Sequence, residues 1–282
     1  MTKMMNNNLK IYKQVSNTLG EGLFVSTLGV FWLDIKEAKL FCLFNQKSLQ
    51  VFNLPEQASA IWKIESDVIY LASESGICTF NLLSQDWSVY TSFPNIDVDM
   101  RANDGCSIDK DKFLFGTMQK EPTGRNGGLY IAKSNKISKI YDGIGIPNTF
   151  IQITEKSFLI SDSLEQIVYL FTLNNSLSEV IDKRPWLDLS LNNYTPDGGC
   201  KDKDGNIYIA LWDGSCINKY DRNAKLICSI ELPVLRPTNC KLSIDGNSLY
   251  ATSAKENLTL LELEQSPYSG ALFQIGLRSN YA

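Results

Sequence analysis

The chain has 282 residues, of which 44% are hydrophobic and 21% charged, and a formal net charge of −4. That composition is ordinary for a globular protein with a sizeable core, and it offers no basic patch for nucleic acid or an anionic membrane. Its longest apolar runs fall far short of the ~20 residues of a spanning helix, and "MTKMMNNNLKIYKQ" lacks the apolar stretch of a signal peptide, so a cytoplasmic location is expected.

In chain order, strand signals dominate and helix signals are scarce. "LKIYKQV" opens the series. One motif then recurs, three large apolar residues followed by a small or polar one: Phe31-Trp32-Leu33-Asp34, Ile69-Tyr70-Leu71-Ala72, Phe113-Leu114-Phe115-Gly116, Phe158-Leu159-Ile160-Ser161, Ile207-Tyr208-Ile209-Ala210 and Leu249-Tyr250-Ala251-Thr252. Successive copies end 38, 44, 45, 49 and 42 positions apart. Further strand patterns such as "KEAKLFCLF", "GICTFNL", "GGLYIAK", "EQIVYLFTL" and "SCINKYD" follow the copies, and "DKDGN" and "IDGNS" are hairpin turns. A period of this length with four short strands per unit predicts an all-β, six-bladed β-propeller, a single domain over residues 1–282. Pairing of "LKIYKQV" with "GALFQIGL" would close the ring. A β-sandwich or a pair of barrels does not demand six similarly spaced copies.

Seven cysteines without a C-x-x-C pair argue against a disulfide framework or a thiolate zinc site, and most sit among apolar residues as small hydrophobes. There is no histidine. A Ser-His-Asp triad, a Cys-His pair and histidine-ligated metals are therefore excluded. Hydrolytic chemistry is left to carboxylates, Lys, Tyr, Cys without a His partner, or a metal held by oxygen.

Counting back thirteen positions from the last residue of each copy gives Glu21, Ser59, Asn103, Asn148, Asp197 and Asn239, all oxygen-bearing. In a propeller such positions form a ring at one mouth of a central channel. That ring is a hard-oxygen site for Ca²⁺, Mg²⁺ or Mn²⁺. The same six residues also suit plain turn chemistry, because Asn, Asp and Ser bond their own backbone. Asp202 and Asp204 form a surface turn behind Asp197, and the remainder of an EF-hand loop is missing. "QKEPTGRNGG" reads as a mobile loop over the mouth, Arg101 on its own reads as a surface residue, and Tyr194 and Trp212 read as a pocket wall or as blade packing.

The markers "LGEG" (19–22), "WLDI" (32–35), "RANDG" (101–105), "FGTM" (115–118), "GGLY" (127–130), "IPN" (146–148), "DS" (162–163), "TPDGGCKDKDGNIYIALW" (195–212) and "PTNC" (237–240) resemble, in this order and spacing, the SMP-30/gluconolactonase (regucalcin-like) family of six-bladed propellers. The resemblance implies a central divalent metal, Ca²⁺, Zn²⁺, Mn²⁺ or Mg²⁺, bound by Glu21, Asn148 and Asp197. It implies substrate contacts from Arg101, Asn103 and Glu121, and hydrolysis of a sugar lactone with Asp197 as the catalytic base. Alternatives are a non-catalytic binding platform and a metal-dependent esterase or phosphotriesterase-like hydrolase. Leu23 and Val25 stand where the family usually has Pro and Trp, and Thr149 where it usually has Gly. A positive φ at 149 would strain threonine.

Overall fold

In the computed structural model, which describes residues 8–45, 47–94 and 96–277, the chain is an all-β, six-bladed β-propeller, as the repeat predicts. Six four-stranded antiparallel sheets account for the strands among the described residues. The first strands of blades 1 to 6 are Gly20–Ser26, Ala58–Glu65, Met100–Asp109, Pro147–Gln152, Thr195–Lys201 and Arg236–Leu242. Each recurring apolar triplet lies in the second strand of its blade. Closure also follows the expectation: Leu9–Lys13 pairs with Leu272–Gly276 and becomes the outer strand of blade 6, with Leu9 opposite Ile275 and Ile11 opposite Phe273.

The second strands are contiguous apolar runs because both their faces are covered. Phe31, Trp32 and Leu33 are each fully buried, whereas the outer strand Ser48–Asn53 is largely exposed. Contacts divide the chain into two compact units. The first takes the described residues up to Val51 and from Leu189 onward, and the second is Phe52–Asp188. In the first unit, Tyr208, Ala210 and Ile217 of blade 5 pack on Cys240, Leu249, Ala251 and Phe273 of blade 6. Tyr250 and Leu272 of blade 6 turn the other way, onto Trp32 and Leu43 of blade 1. In the second unit, Phe113 and Phe115 of blade 3 join Trp62 and Ala72 of blade 2, while Leu114 joins Phe158, Ile160 and Phe171 of blade 4. The two-residue side-chain period of a strand is thus what makes one triplet serve two neighbours. Stacked rings strengthen the seam, with Trp62 and Phe113 centroids 5.8 Å apart.

The one helix among the described residues, Leu260–Gln265, begins at a Thr259–Glu262 capping box. No helix among them is long and apolar enough to cross a membrane. All seven cysteines are free thiols, and Cys42, Cys78, Cys200 and Cys240 are buried. Burial pushes the Cys42 thiol up to about 12 and that of Cys78 up to about 11. Both therefore stay protonated and inert at neutral pH, as core hydrophobes should.

Candidate functional site

The thirteen-residue offset marks a specific backbone feature. In every blade the pairing of first and second strands slips by one residue at the same place. Between Glu21 and Phe24 the first strand uses three steps where Leu33 to Phe31 uses two. The same slip runs from Ala58 to Ala60, Ala102 to Gly105, Asn148 to Ile151, Pro196 to Gly199 and Pro237 to Cys240. These are β-bulges, which re-aim a side chain out of the regular alternation. Glu21 and Asn148 are the last paired residues before their bulges, and Ser59, Asn103, Asp197 and Asn239 lie within theirs. All six are buried, Glu21 and Asp197 at 5% exposure. Local turn chemistry alone does not account for that, because turn residues are normally solvated.

In the first unit, Glu21 Oε2 accepts hydrogen bonds from Gly22 N at 3.1 Å and from Asn239 Nδ2 at 3.1 Å. Gly22, at φ 58°, supplies the left-handed turn that brings its N–H back to the carboxylate. Asn239 in turn touches the chain beside Asp197: a Cβ added to Gly198 would stand 2.3 Å from Asn239 Cγ. Blade 6 is tied to blade 1 by Thr238, whose Oγ1 donates to Gly20 O. Glu21, Asn239 and the Asp197–Gly198 bulge are therefore gathered from three blades.

The second unit holds a hydrogen-bonded relay. Arg101 Nη1 donates to Asn103 Oδ1 at 2.8 Å and to Ala102 O at 2.9 Å. Asn103 Nδ2 donates to Asn148 Oδ1 at 2.9 Å and to Pro147 O at 3.0 Å. Asn148 Nδ2 then donates to Ser163 Oγ at 3.0 Å. Arg101 is buried at 4% exposure, which settles against the surface reading open to it in sequence. Pro147 needs Gly116 opposite, since a Cβ there would meet Pro147 Cγ at 2.3 Å.

Thr149 has φ 57°. A β-branched residue is strained in the left-handed region. Its hydroxyl accepts from Ser161 Oγ at 3.1 Å in full burial. Thr149→Asn keeps a polar side chain and tolerates this backbone, so it is expected to raise stability by about 1 kcal/mol. The check is the urea midpoint, and an unchanged or lower midpoint refutes it.

Two expectations are corrected or refined. The 120–126 loop is fastened rather than loose: Thr123 Oγ1 and Asn126 Nδ2 donate to Gln119 Oε1 at 2.9 and 2.8 Å. Arg125 bonds Gly143 O at 3.0 Å and pairs with Glu165 at 2.8 Å. Glu121 is exposed on that loop, outside the buried relay. Trp212 is blade packing, lying against Leu19, Ile35 and Ala254 with the Arg236 guanidinium 4.8 Å above its ring. Asp202 behaves as expected, its Oδ1 accepting from Asp204 N and Asn206 N at 3.0 and 2.8 Å.

Sequence reasoning missed Ser163 and the roles of Asp34 and Asp162. Both carboxylates are buried and clip the entry to a first strand. Asp162 accepts from Gly145 N, Ile146 N and Leu164 N at 2.8, 3.0 and 3.2 Å. Asp34 accepts from Thr18 N, Leu19 N and Glu37 N at 2.7, 3.1 and 3.3 Å. Their shared signal is an Asp at the end of an apolar second strand.

No group of three His, Cys, Asp and Glu side chains able to hold a metal assembles among the described residues. A cation here requires a mixed set of carboxylate and amide oxygens. Glu21, Asp197 and Asn239 meet that chemistry, and Asn239 Oδ1 is buried with no hydrogen-bond partner. The donors suit a hard dication.

The family model SMP-30/Gluconolactonase/LRE-like region matches residues 19–255. Regucalcin of Bos taurus is 26% identical over 276 residues, covering 94% of this chain and 88% of its own. L-arabinolactonase of Azospirillum brasilense is 26% identical over 273 residues, covering 91% and 88%. Among solved structures, the calcium-binding protein regucalcin from Agrobacterium tumefaciens superposes with a TM-score of 0.88 at 22% identity, over 94% of this chain and 92% of that one. A gluconolactonase from Xanthomonas campestris does so at 0.73 and 14% identity, over 95% and 89%. With buried carboxylates and amides set into recurrent bulges, and most of its length matched, this chain belongs to the SMP-30/gluconolactonase/LRE-like family.

Proposed function

We propose that the protein is a divalent-cation-dependent carboxylic ester hydrolase that opens a sugar lactone to its aldonic acid, working as one propeller domain over residues 1–282. The observation that carries this reading is the pair of buried carboxylates, Glu21 and Asp197, connected through Asn239. Burying two like charges in one region is costly unless a cation or a proton offsets them. Family membership and a lactonase relative support the substrate class. Glu21, Asn148 and Asp197 are the proposed ligands, for one Ca²⁺, Zn²⁺, Mn²⁺ or Mg²⁺.

When bound, the ion supplies Lewis acidity toward an acyl oxygen and stabilises the negative charge that develops there. The chain's residues do the rest. Asp197 takes a proton from the attacking water as it adds to the acyl carbon. The ring C–O bond then breaks, and the leaving alkoxide takes up the proton held by Asp197, leaving a hydroxy acid and the regenerated carboxylate. Arg101 orients substrate hydroxyls through its guanidinium, which Asn103 and Ala102 hold in place. Asn103 holds both Arg101 and Asn148 in place and keeps one Oδ1 lone pair for a substrate hydroxyl. Glu121 contacts the substrate from the 120–126 loop.

The test is turnover by chelated protein after single metals are restored, with gluconolactone, xylonolactone, arabinolactone and an aryl ester followed in parallel by acid release. Metal-dependent opening of a lactone is the expected result. Turnover of the aryl ester alone selects the broader esterase, and metal binding without turnover selects a binding platform.

A further inference from the structure

We propose that Asn239 is a further member of the cation site, its Nδ2 holding the Glu21 carboxylate and its Oδ1 serving as an additional neutral oxygen donor. This rests on the hydrolase reading above, whose proposed ligands do not include Asn239. Four observations within the first unit support it. Asn239 is 1% exposed, at the bulge of the first strand of blade 6. Its Nδ2 donates to Glu21 Oε2 at 3.1 Å. Its Oδ1 is buried without a partner. Finally, its amide lies against Gly198, where any Cβ would come within 2.3 Å of it, next to Asp197.

These facts orient the amide. A flipped Asn239 would set its oxygen against the Glu21 carboxylate, oxygen against oxygen, and the observed arrangement, with Nδ2 toward Glu21 Oε2, avoids this. Nitrogen and oxygen point apart from a common carbon, and the oxygen is therefore left facing away from Glu21. A buried carbonyl oxygen without a donor is unfavourable, and a hard cation is the ligand that satisfies it beside two carboxylates. Leucine of similar size would fill the space yet neither hold Glu21 nor offer oxygen.

The experiment is calorimetric titration of chelated protein with Ca²⁺ and, separately, Mn²⁺. Wild type, Asn239→Leu and Asn239→Asp are compared, along with the melting temperature of each chelated form. Asn239→Leu is expected to weaken binding at least ~10-fold while melting within a few degrees of wild type. Asn239→Asp keeps an oxygen and adds charge, and is expected to bind at least as tightly as wild type while its chelated form melts lower, through repulsion of Glu21. Binding by Asn239→Leu within twofold of wild type overturns the proposal and leaves the hydrolase reading standing. So does loss of binding in Asn239→Asp equal to that in Asn239→Leu. Wild type that binds neither ion, nor Zn²⁺ or Mg²⁺ in the same titration, overturns both together. If Asn239→Leu does not fold, Asn239→Ser replaces it under the same criteria, since its shorter side chain reaches neither role.

Discussion

Asp197→Asn is expected to lower lactone turnover by at least ~10³-fold while the chelated protein melts within a few degrees of wild type. Asparagine keeps the size of the side chain and one oxygen, so the bulge from Pro196 to Gly199 and its contact with Asn239 survive. Two things would be lost: the proposed proton acceptor, which typically contributes about 10²–10⁴-fold, and one of the two buried negative charges proposed to hold the ion. Asp197→Ala is expected to be at least as severe and to abolish cation binding in a calorimetric titration. The two variants separate the roles. Residual ion binding with no turnover in Asp197→Asn marks Asp197 as the base, whereas loss of both in equal measure marks it as a ligand alone. Full turnover in Asp197→Ala would remove the residue from the site altogether.

Asp162→Ala is expected to be the most destabilising single change outside the apolar core. The carboxylate is fully buried and accepts three backbone N–H bonds, from Gly145, Ile146 and Leu164. Its removal takes the acceptor from three backbone N–H groups, Gly145 N in a buried bond and Ile146 N and Leu164 N in partly buried ones, at a cost of about 3–5 kcal/mol. For a chain of this length that lowers the melting temperature by roughly 10 °C. Asp142→Ala provides the contrast: Asp142 pairs with Lys139 at 3.2 Å on the exposed outer strand, and its loss should cost under about 0.5 kcal/mol. Asp162 also anchors the approach to Pro147 and Asn148, so lactone turnover at temperatures well below melting is expected to fall with it. Thermal and urea unfolding measure the first effect. Equal stability of the two variants would show that the clip has no structural weight.

The propeller was legible because its cause is local and repeated. Each second strand must face two neighbouring blades, so each needs a run such as Phe113-Leu114-Phe115, and six such runs at a near-constant spacing define the fold. The closing strand was legible for the same reason: "LKIYKQV" has alternating apolar residues and no partner nearby in sequence. The polar positions were legible as positions. Counting back thirteen found one oxygen-bearing residue per blade because the bulge sits a fixed distance before the apolar run.

Their functions were not legible to the same degree, because a polar residue in a loop and a polar residue aimed by a bulge look identical in sequence. Burial separated them. It took Arg101 from the surface into a relay with Asn103 and Asn148, and it left Glu121 exposed on a fastened loop. Asp162 and Ser163 adjoin in sequence yet do different work, one clipping backbone and the other orienting an amide.

Taken alone, the amino-acid order determined the repeat, the blade number and the absence of imidazole chemistry, since each depends on residue type and spacing along the chain. Only the tertiary structure decided which polar side chains share an environment. Asn239 and Glu21 are 218 positions apart and hydrogen-bonded, a pairing set by the meeting of the last blade with the first. Contacts of that kind depend on how sheets stack and where their pairing slips, and no local pattern encodes them.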